Sequence, residues 1–239
     1  MAAEGDAVSL QEYTAVQQIA KDTIAYLRTV LRAGMHLADI RRLCEEKMLA
    51  LGADSFWYYD IGAFVFSGEE TAVSLSGRDY RTPDRILAET DILTVDLSPQ
   101  RGNIWGDYAR TIVLENAQVR GNPSEIQNAE WRRGLLTEEL LHREMQRFVT
   151  PELTFAALCE HMNRVIAAEG FVNLDFRGNL GHSIETDRDA RVYIEPENER
   201  PLASVRYFTF EPHIALPDSK YGFKHENIYY FADGCLHEL

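Results

Sequence analysis

Cysteine is scarce in this 239-residue chain, and long apolar runs are absent. The three cysteines, Cys44, Cys159 and Cys235, are widely spaced and form no CxxC pair. This pattern fits reduced thiols in a cytosolic protein better than a disulfide framework. No stretch approaches the roughly 18 apolar residues of a transmembrane helix, and the N-terminus lacks the basic and apolar regions of a signal peptide. We therefore expect a cytoplasmic protein.

Basic charge is also in short supply. Lys and Arg total 24 against 38 Asp and Glu, so the net charge is 24 − 38 = −14. That balance argues against nucleic acid as a partner and against docking on anionic membranes. An acidic excess usually only keeps a surface solvated, but a subset of the carboxylates could instead collect cations. The positions of the acids along the chain decide between these two interpretations.

The hydrophobic pattern predicts helices and strands in a repeated order. Residues 1–8 resemble a flexible lead, and a Ser-x-x-Glu capping box at Ser9 predicts a helix to about Arg32. Further helices are expected over 37–51, 122–147 and 153–168. Aromatic and β-branched runs predict strands at 56–59, 63–66, 91–97, 108–114, 171–176, 205–210 and 227–231.

This order of helix, helix and strands occurs twice, which indicates an internal duplication. A repeated tripeptide supports this duplication, because Leu-Cys-Glu occurs at 43–45 and again at 158–160, in the second and fourth predicted helices. No linker rich in Pro, Gly or Ser separates the two parts. We therefore expect one domain over 1–239, with related halves of about 9–120 and 121–239.

Several acidic residues lie in or beside predicted strands, where charge is unfavourable unless something requires it. Asp96 ends an apolar run and Asp107 opens the next strand, so a hairpin would place their carboxylates side by side. Bare carboxylates in contact repel, and a bound cation removes that penalty. Glu211, Glu226 and His182 complete the ligand inventory of a two-metal site. Oxygen-rich ligation with one nitrogen suits Mn, Fe(II), Co or Zn.

Two sequence motifs around these residues are typical of a known enzyme family: Gly-Asp-x-x-Arg-Thr at 106–111 and Phe-Thr-x-Glu-Pro at 208–212. The sequence resembles the pita-bread metallohydrolases, which include methionine aminopeptidase, Xaa-Pro aminopeptidase, prolidase and creatinase-like enzymes. The resemblance extends over about 9–234. It implies an α+β pita-bread fold, in which two pseudo-symmetric helix-helix-strand halves surround a curved antiparallel sheet.

The resemblance also implies roles for the five ligands. Asp107 and Glu226 would bridge two divalent ions, Asp96 would complete one ion, and His182 with Glu211 would complete the other. Glu211 would also carry the proton during catalysis. A metal pair of this kind lowers the pKa of a bridging water and polarises a substrate carbonyl.

Other residues are expected to surround this centre. Arg110 and Thr209 lie next to the ligands in sequence, and we expect them to support the ligands from behind. Tyr58, Phe66 and Tyr193 are the candidates for substrate contacts.

The sequence departs from the family pattern at two histidines that hydrogen-bond the substrate in the peptidases. The Gly-x-x-Thr-Ala string at 68–72 is present, but no histidine follows it within 73–77. The second histidine is replaced within 193–196, and the loop after His182 is altered. Loss of one such donor costs on the order of 10²-fold in rate.

His213 and His225 are the candidates to replace these histidines. Strand alternation sends His225 to the face opposite Glu226, which favours a structural role for His225. Pro212 interrupts the alternation before His213, so a catalytic and a structural role both stay open for that residue.

We therefore predict a dinuclear metal-dependent hydrolase that cleaves a C–N bond in a small peptide or amide, like an aminopeptidase or a dipeptidase. The missing histidines keep open a specialised non-peptide amide hydrolase or a biosynthetic enzyme on the same metal site. A non-catalytic binding module is a third alternative, whose expected signature is eroded ligands. The sequence is compatible with a homodimer.

Overall fold

A computed structural model describes the backbone of residues 3–239 and the side chains from residue 10 onward. The helices are α1 (Ala3–Val30), α2 (Leu37–Ala50), α3 (Ala129–Phe148) and α4 (Phe155–Ala168). Helix α1 begins at Ala3, before the capping box at Ser9, so the expected lead over 1–8 is wrong from Ala3 onward. Met1 and Ala2, the start of that lead, lie outside the described residues.

Thirteen short strands are present in the described chain. The first seven are β1 (Ser55–Phe56), β2 (Ala63–Ser67), β3 (Asp91–Leu97), β4 (Pro99–Arg101), β5 (Ile104–Trp105), β6 (Tyr108–Glu115) and β7 (Gln118–Val119). The other six are β8 (Val172–Asn173), β9 (Phe208–Phe210), β10 (His213–Ala215), β11 (Phe223–Lys224), β12 (Asn227–Ala232) and β13 (Cys235–Glu238).

The first sheet has the antiparallel order β2-β3-β6-β7. The predicted pairing of 91–97 with 108–114 is confirmed, and its register places Asp96 opposite Ala109. The connection between the two strands contains its own hairpin, β4-β5, which pairs with β1 in a second sheet.

The second part of the chain forms the sheets β11-β10-β8 and β13-β12-β9. An isolated bridge between Arg110 and His225 joins them to β6, and the Glu226 amide donates to the Ala109 carbonyl at 3.0 Å. This seam brings acidic residues from distant parts of the chain together. The division into halves at about residue 120 stays a prediction.

Several predicted elements are shorter than expected. The strands expected at 171–176 and 205–210 are reduced to β8 and β9. In two further elements, local backbone chemistry sets the boundary. The strand expected at 56–59 stops at Phe56, and the chain turns through Tyr59 and Asp60 with φ of 56° and 57°. The helix expected over 122–147 starts only at Ala129. Asn128 caps that start, since its side-chain oxygen accepts from the Glu130 and Trp131 amides.

Two main apolar clusters fill the interior. One packs α1 and α2 against β2, β3 and β6, and the other packs α3 and α4 against the strands of the second part. A smaller aromatic cluster around Trp57, Trp105 and Tyr207 lies near the seam. Among the described helices, none combines the length and apolar character that crossing a bilayer requires.

Helix α3 approaches β11 closely at Gly134. A Cβ at this position would lie 2.4 Å from ring carbons of the fully buried Phe223, the residue before Lys224. We predict that Gly134→Ala lowers stability by about 1–2 kcal/mol, because overpacking costs about 1–3 kcal/mol and exceeds the gain in helix propensity. Thermal unfolding should show a fall in Tm of roughly 3–6 °C.

Gly121→Ala is the matched control, since the nearest atom to its added Cβ is 3.9 Å away. An unchanged or higher Tm for Gly134→Ala would show that Phe223 moves aside at little cost.

Candidate metal centre

Three acceptor side chains meet at the seam: Asp107, His182 and Glu226. Their candidate ligand atoms all lie within 4.8 Å of one another, and all three residues are buried. Asp107 immediately precedes β6, and Glu226 lies between β11 and β12. Both positions are determined by strand pairing, because the Glu226 amide bonds to the carbonyl of Ala109 two residues after Asp107.

The backbone of Asp107 is held on both sides by the side chain of Gln17 in helix α1. Gln17 donates to the Asp107 carbonyl at 2.7 Å and accepts from the Asp107 amide at 2.8 Å. The Trp57 indole donates to the preceding carbonyl, that of Gly106, at 3.0 Å. The buried helix and the aromatic cluster therefore fix the direction of the Asp107 carboxylate.

His182 depends on the glycine before it. Gly181 has φ of +144°, and a Cβ there would lie 2.3 Å from the Thr209 carbonyl oxygen. This close approach lets the His182 amide donate to Thr209 Oγ1 at 2.9 Å and the His182 carbonyl accept from the Thr209 amide at 2.7 Å. The histidine backbone is thereby fixed against strand β9.

The ring of His182 is oriented for binding through Nε2. Its Nδ1 lies 2.9 Å from the Ser183 carbonyl, to which only a protonated Nδ1 can donate. Nε2 is then unprotonated and faces Asp107 Oδ2 at 3.5 Å and Glu211 Oε1 at 3.6 Å. Burial lowers the pKa of His182 to about 4, so the ring is neutral at physiological pH.

The environment of Glu226 favours a nearby cation. Its side chain is 1 % exposed, and neither carboxylate oxygen has a hydrogen-bond partner among the described residues. Burial, with the negative charges of Asp107 and Glu211, raises its pKa well above the usual range. Burial and the negative charges of Asp96 and Glu211 also raise the pKa of Asp107 well above its usual value. These donors fit a divalent cation, because it would satisfy the orphaned oxygens and offset the repulsion.

The other two predicted ligands, Asp96 and Glu211, contact a lysine. Lys224 Nζ lies 2.6 Å from Asp96 Oδ2, 3.0 Å from Glu211 Oε2 and 3.9 Å from Glu226 Oε2. Burial would raise the pKa of Glu211, but Lys224 and His182 lower it below its usual value. The same carboxylates raise the pKa of Lys224 well above its usual value, despite its burial. Lys224 is therefore an ammonium ion inside the centre.

The two residues expected behind the ligands act differently. Thr209 Oγ1 donates to Glu211 Oε1 at 3.2 Å and also contacts the amide of His182. Arg110 donates to the main-chain carbonyl of Glu226 at 2.7 Å and to Asn227 Oδ1 at 2.6 Å. Arg110 therefore supports Glu226 through its backbone rather than through a ligand carboxylate.

The centre opens into a cleft of about 420 Å³. Of the three predicted substrate residues, Tyr58 and Tyr193 line the cleft, whereas Phe66 packs its ring against Tyr80. Three arginines also line it, namely Arg78, Arg177 and Arg191. The Arg191 guanidinium carbon lies 5.3 Å from the Trp57 ring centroid, 5.2 Å from Tyr58 and 5.3 Å from Tyr193.

The two candidate replacement histidines have partners of their own. His213 Nε2 lies 2.7 Å from the Thr71 carbonyl, to which it donates, and burial lowers the His213 pKa to about 4. The His225 ring lies 4.1 Å from that of His142, which also contacts the His225 carbonyl. A catalytic role for His213 stays a prediction, and it would require the ring to leave Thr71.

Sequence reasoning missed Lys224 and the arginines of the cleft. A signal for Lys224 was present, because residues 224 and 226 are two apart in an extended segment and share a face. Arg177 and Arg191 come from loops without regular structure, so their convergence depends on the tertiary fold.

The profile of metallopeptidase family M24 matches residues 11–233. A comparison with curated protein sequences finds no significant match.

Solved structures of similar fold include three peptidases. An X-Pro aminopeptidase from Thermotoga maritima has a TM-score of 0.79 and 19 % identity, over 96 % of this chain and 60 % of that chain. A prolidase from Pyrococcus furiosus has a TM-score of 0.76 and 17 % identity, over 94 % and 61 %. A dipeptidase from Mycobacterium ulcerans has a TM-score of 0.74 and 23 % identity, over 100 % and 58 %. The chain thus spans about 60 % of the length of these structures, and the expected pita-bread fold is confirmed.

We predict that Glu226→Gln has opposite effects with and without metal. In the metal-free protein the raised pKa of Glu226 costs stability above the unfolded pKa of about 4.3, and the cost grows as pH rises. The variant should therefore be more stable than wild type at pH 8, by at least about 1 kcal/mol, and lose that advantage near pH 4. Adding Mn²⁺ should raise the Tm of wild type only.

Thermal unfolding of chelator-treated protein at both pH values measures these effects. Glu197→Gln, at an exposed position, is the control and should leave both responses unchanged. Equal stabilisation of wild type and Glu226→Gln by Mn²⁺ would remove Glu226 from the ligand set.

Proposed function

The chain belongs to metallopeptidase family M24, and we propose that it is a metal-dependent hydrolase that cleaves a C–N bond in a small peptide or amide. The observation that carries the proposal is the buried group of Asp107, His182 and Glu226, with a neutral imidazole and an orphaned carboxylate. Buried polar atoms are normally hydrogen-bonded, so the unpartnered carboxylate oxygens of Glu226, beside Asp107 and His182, fit a bound cation.

In this proposal, Asp107, Glu226 and His182 Nε2 hold a divalent cation. When bound, such a cation acts as a Lewis acid that polarises a carbonyl and makes water more acidic. The mixed oxygen and nitrogen donors suit Mn, Fe(II), Co or Zn. The free cysteines agree with a reducing compartment such as the cytoplasm.

Glu211 is the proposed proton carrier. Its lowered pKa keeps the carboxylate ionised, so it can accept a proton from the attacking water and deliver it to the leaving nitrogen. The Thr209 hydroxyl holds one of its oxygens at 3.2 Å, and Lys224 holds the other at 3.0 Å. Both contacts fix the carboxylate beside His182 at the floor of the cleft.

The walls of the cleft favour a substrate that carries an anionic group. Arg191 lies among the rings of Trp57, Tyr58 and Tyr193, and Arg177 lies 5.7 Å from the Tyr193 ring centroid. Guanidinium groups against aromatic faces are held in place and can pair with a carboxylate. A dipeptide with a free terminal carboxylate fits these features, and so does a small acidic amide.

A specialised non-peptide amide hydrolase is the second candidate function. It is favoured by the segment Gly68–Ala72, where the family peptidases place a substrate-binding histidine nearby and this chain has none over 73–77. The Thr71 carbonyl of that segment instead holds His213. A substrate that does not need those donors would explain both features.

We predict that Asp107→Asn abolishes metal-dependent hydrolysis. The substitution removes a charged donor, and loss of a direct ligand should cost more than the roughly 10–100-fold typical of residues that only support ligands. Turnover of a dipeptide, an Xaa-Pro dipeptide and a non-peptide amide would be measured with Mn²⁺, Fe²⁺ and Co²⁺.

Asp218→Asn, at an exposed position, should retain wild-type rates and controls for preparation. Turnover of the amide alone would select the second candidate function. Unchanged turnover in Asp107→Asn would reject the proposed centre, and no turnover of any substrate by metal-bound wild type would favour a binding module.

We also predict that Arg191→Gln raises KM by at least about tenfold for a dipeptide with a free C-terminal carboxylate, because hydrogen bonds to charged groups contribute about 1.5–3 kcal/mol. The KM for the same dipeptide with an amidated C-terminus should change much less. Comparing the two substrates cancels any effect of Arg191 on the metal centre itself.

Arg188→Gln is the matched control. The Arg188 guanidinium lies 3.9 Å from the Tyr59 ring centroid, and Arg191 bonds only to the main-chain carbonyl of Arg188, which the substitution keeps. An equal rise in KM for both substrates would show that Arg191 does not bind the carboxylate.

A further inference from the structure

The four carboxylates of the centre fall into two groups that differ in what they face. Asp107 and Glu226 lie with His182 in the group whose ligand atoms converge within 4.8 Å. Asp96 and Glu211 instead direct an oxygen at Lys224 Nζ, at 2.6 Å and 3.0 Å. The donors of the first group therefore face one another, while the second group pairs with a cation supplied by the chain.

Lys224 is fixed in this position by its backbone. The Lys224 amide donates to Thr111 Oγ1 at 2.8 Å, and the Thr111 hydroxyl donates back to the Lys224 carbonyl at 3.1 Å. The preceding residue, Phe223, is fully buried against Gly134 of helix α3. Since Lys224 and Glu226 share a face of the chain, the ammonium is directed into the centre.

A second metal ion bound through Asp96 would lie close to Lys224, whose Nζ is 2.6 Å from Asp96 Oδ2. It would lie beside a buried ammonium, where repulsion between positive charges is weakly screened by water and salt. The Lys224 side chain is only 19 % exposed, so moving it away would also cost two close ion pairs.

We propose that Lys224 is a built-in cation at the second metal position, so that the centre binds one divalent ion rather than two. In this arrangement Asp96 holds the lysine instead of a metal ion, and Glu211 stays beside the ion as a proton carrier. The inference rests on the proposed function, because it assumes that Asp107, His182 and Glu226 bind an ion.

The test is the number of Mn²⁺ ions bound per full-length chain, by native mass spectrometry and titration calorimetry on chelator-treated protein. We expect one ion for wild type and two for Lys224→Met, which keeps the length of the side chain and removes its charge. Lys224→Arg should stay at one ion. Lys220→Met is the matched control, because Lys220 pairs with Glu69 at an exposed position, and it should also bind one ion.

Two ions in wild type, or one ion in Lys224→Met, would overturn the role of Lys224 and leave the proposed hydrolase intact. No ion in wild type would overturn the proposed function as well. If Lys224→Met does not fold, the Asp96→Asn variant tests the role of Lys224 instead. Its Kd for the single ion should change by no more than about 100-fold, as for a residue that acts through another. A larger loss of Mn²⁺ affinity would make Asp96 a direct ligand.

Discussion

The repulsion among four carboxylates confined to one cleft is the constraint on which the rest of the structure depends. Asp107 and Glu226 are buried with raised pKa values, and only part of the opposing positive charge comes from the chain. Lys224 supplies that part through its contacts with Asp96 and Glu211. The fold therefore tolerates the acids through a lysine on one side and an affinity for cations on the other.

Hydrogen bonds to the backbone, more than contacts to the carboxylates themselves, place these residues. Gln17 brackets the Asp107 peptide, Thr209 holds the His182 peptide, and Arg110 holds the Glu226 carbonyl. This arrangement leaves carboxylate and imidazole atoms free to face the cleft. A site built in this way is rigid before any ligand arrives, which lowers the cost of binding.

The walls of the cleft differ from its floor in charge and in residue type. Its floor is acidic, whereas its walls combine arginines with aromatic rings, as Arg191 does with Trp57 and Tyr193. A substrate with one anionic end and one amide bond would match this polarity, with its charge on the wall and its carbonyl at the floor. The loops that carry the walls are also where the chain departs from the family pattern.

The sequence predicted much of the fold because hydrophobic periodicity is a local signal. Helix α2, the pairing of β3 with β6 and the end of α1 agree closely with expectation, and tight turns account for shorter elements such as β1. Six strands of two to four residues were missed because they have too little pattern to detect: β4, β5, β7, β10, β11 and β13.

The motifs indicated five candidate ligands, and the structure places all five close to one another at the centre. The sequence alone therefore determined the family resemblance, the acidic character of the centre and the strands that carry it. Only the tertiary structure decided that Lys224 lies against Asp96 and Glu211, that His213 is held by Thr71, and that arginines line the cleft. The contacts of Lys224 with Asp96 and of His213 with Thr71 join residues 128 and 142 positions apart. The arginines lie on loops without a repeating pattern, so local spacing does not specify these partners.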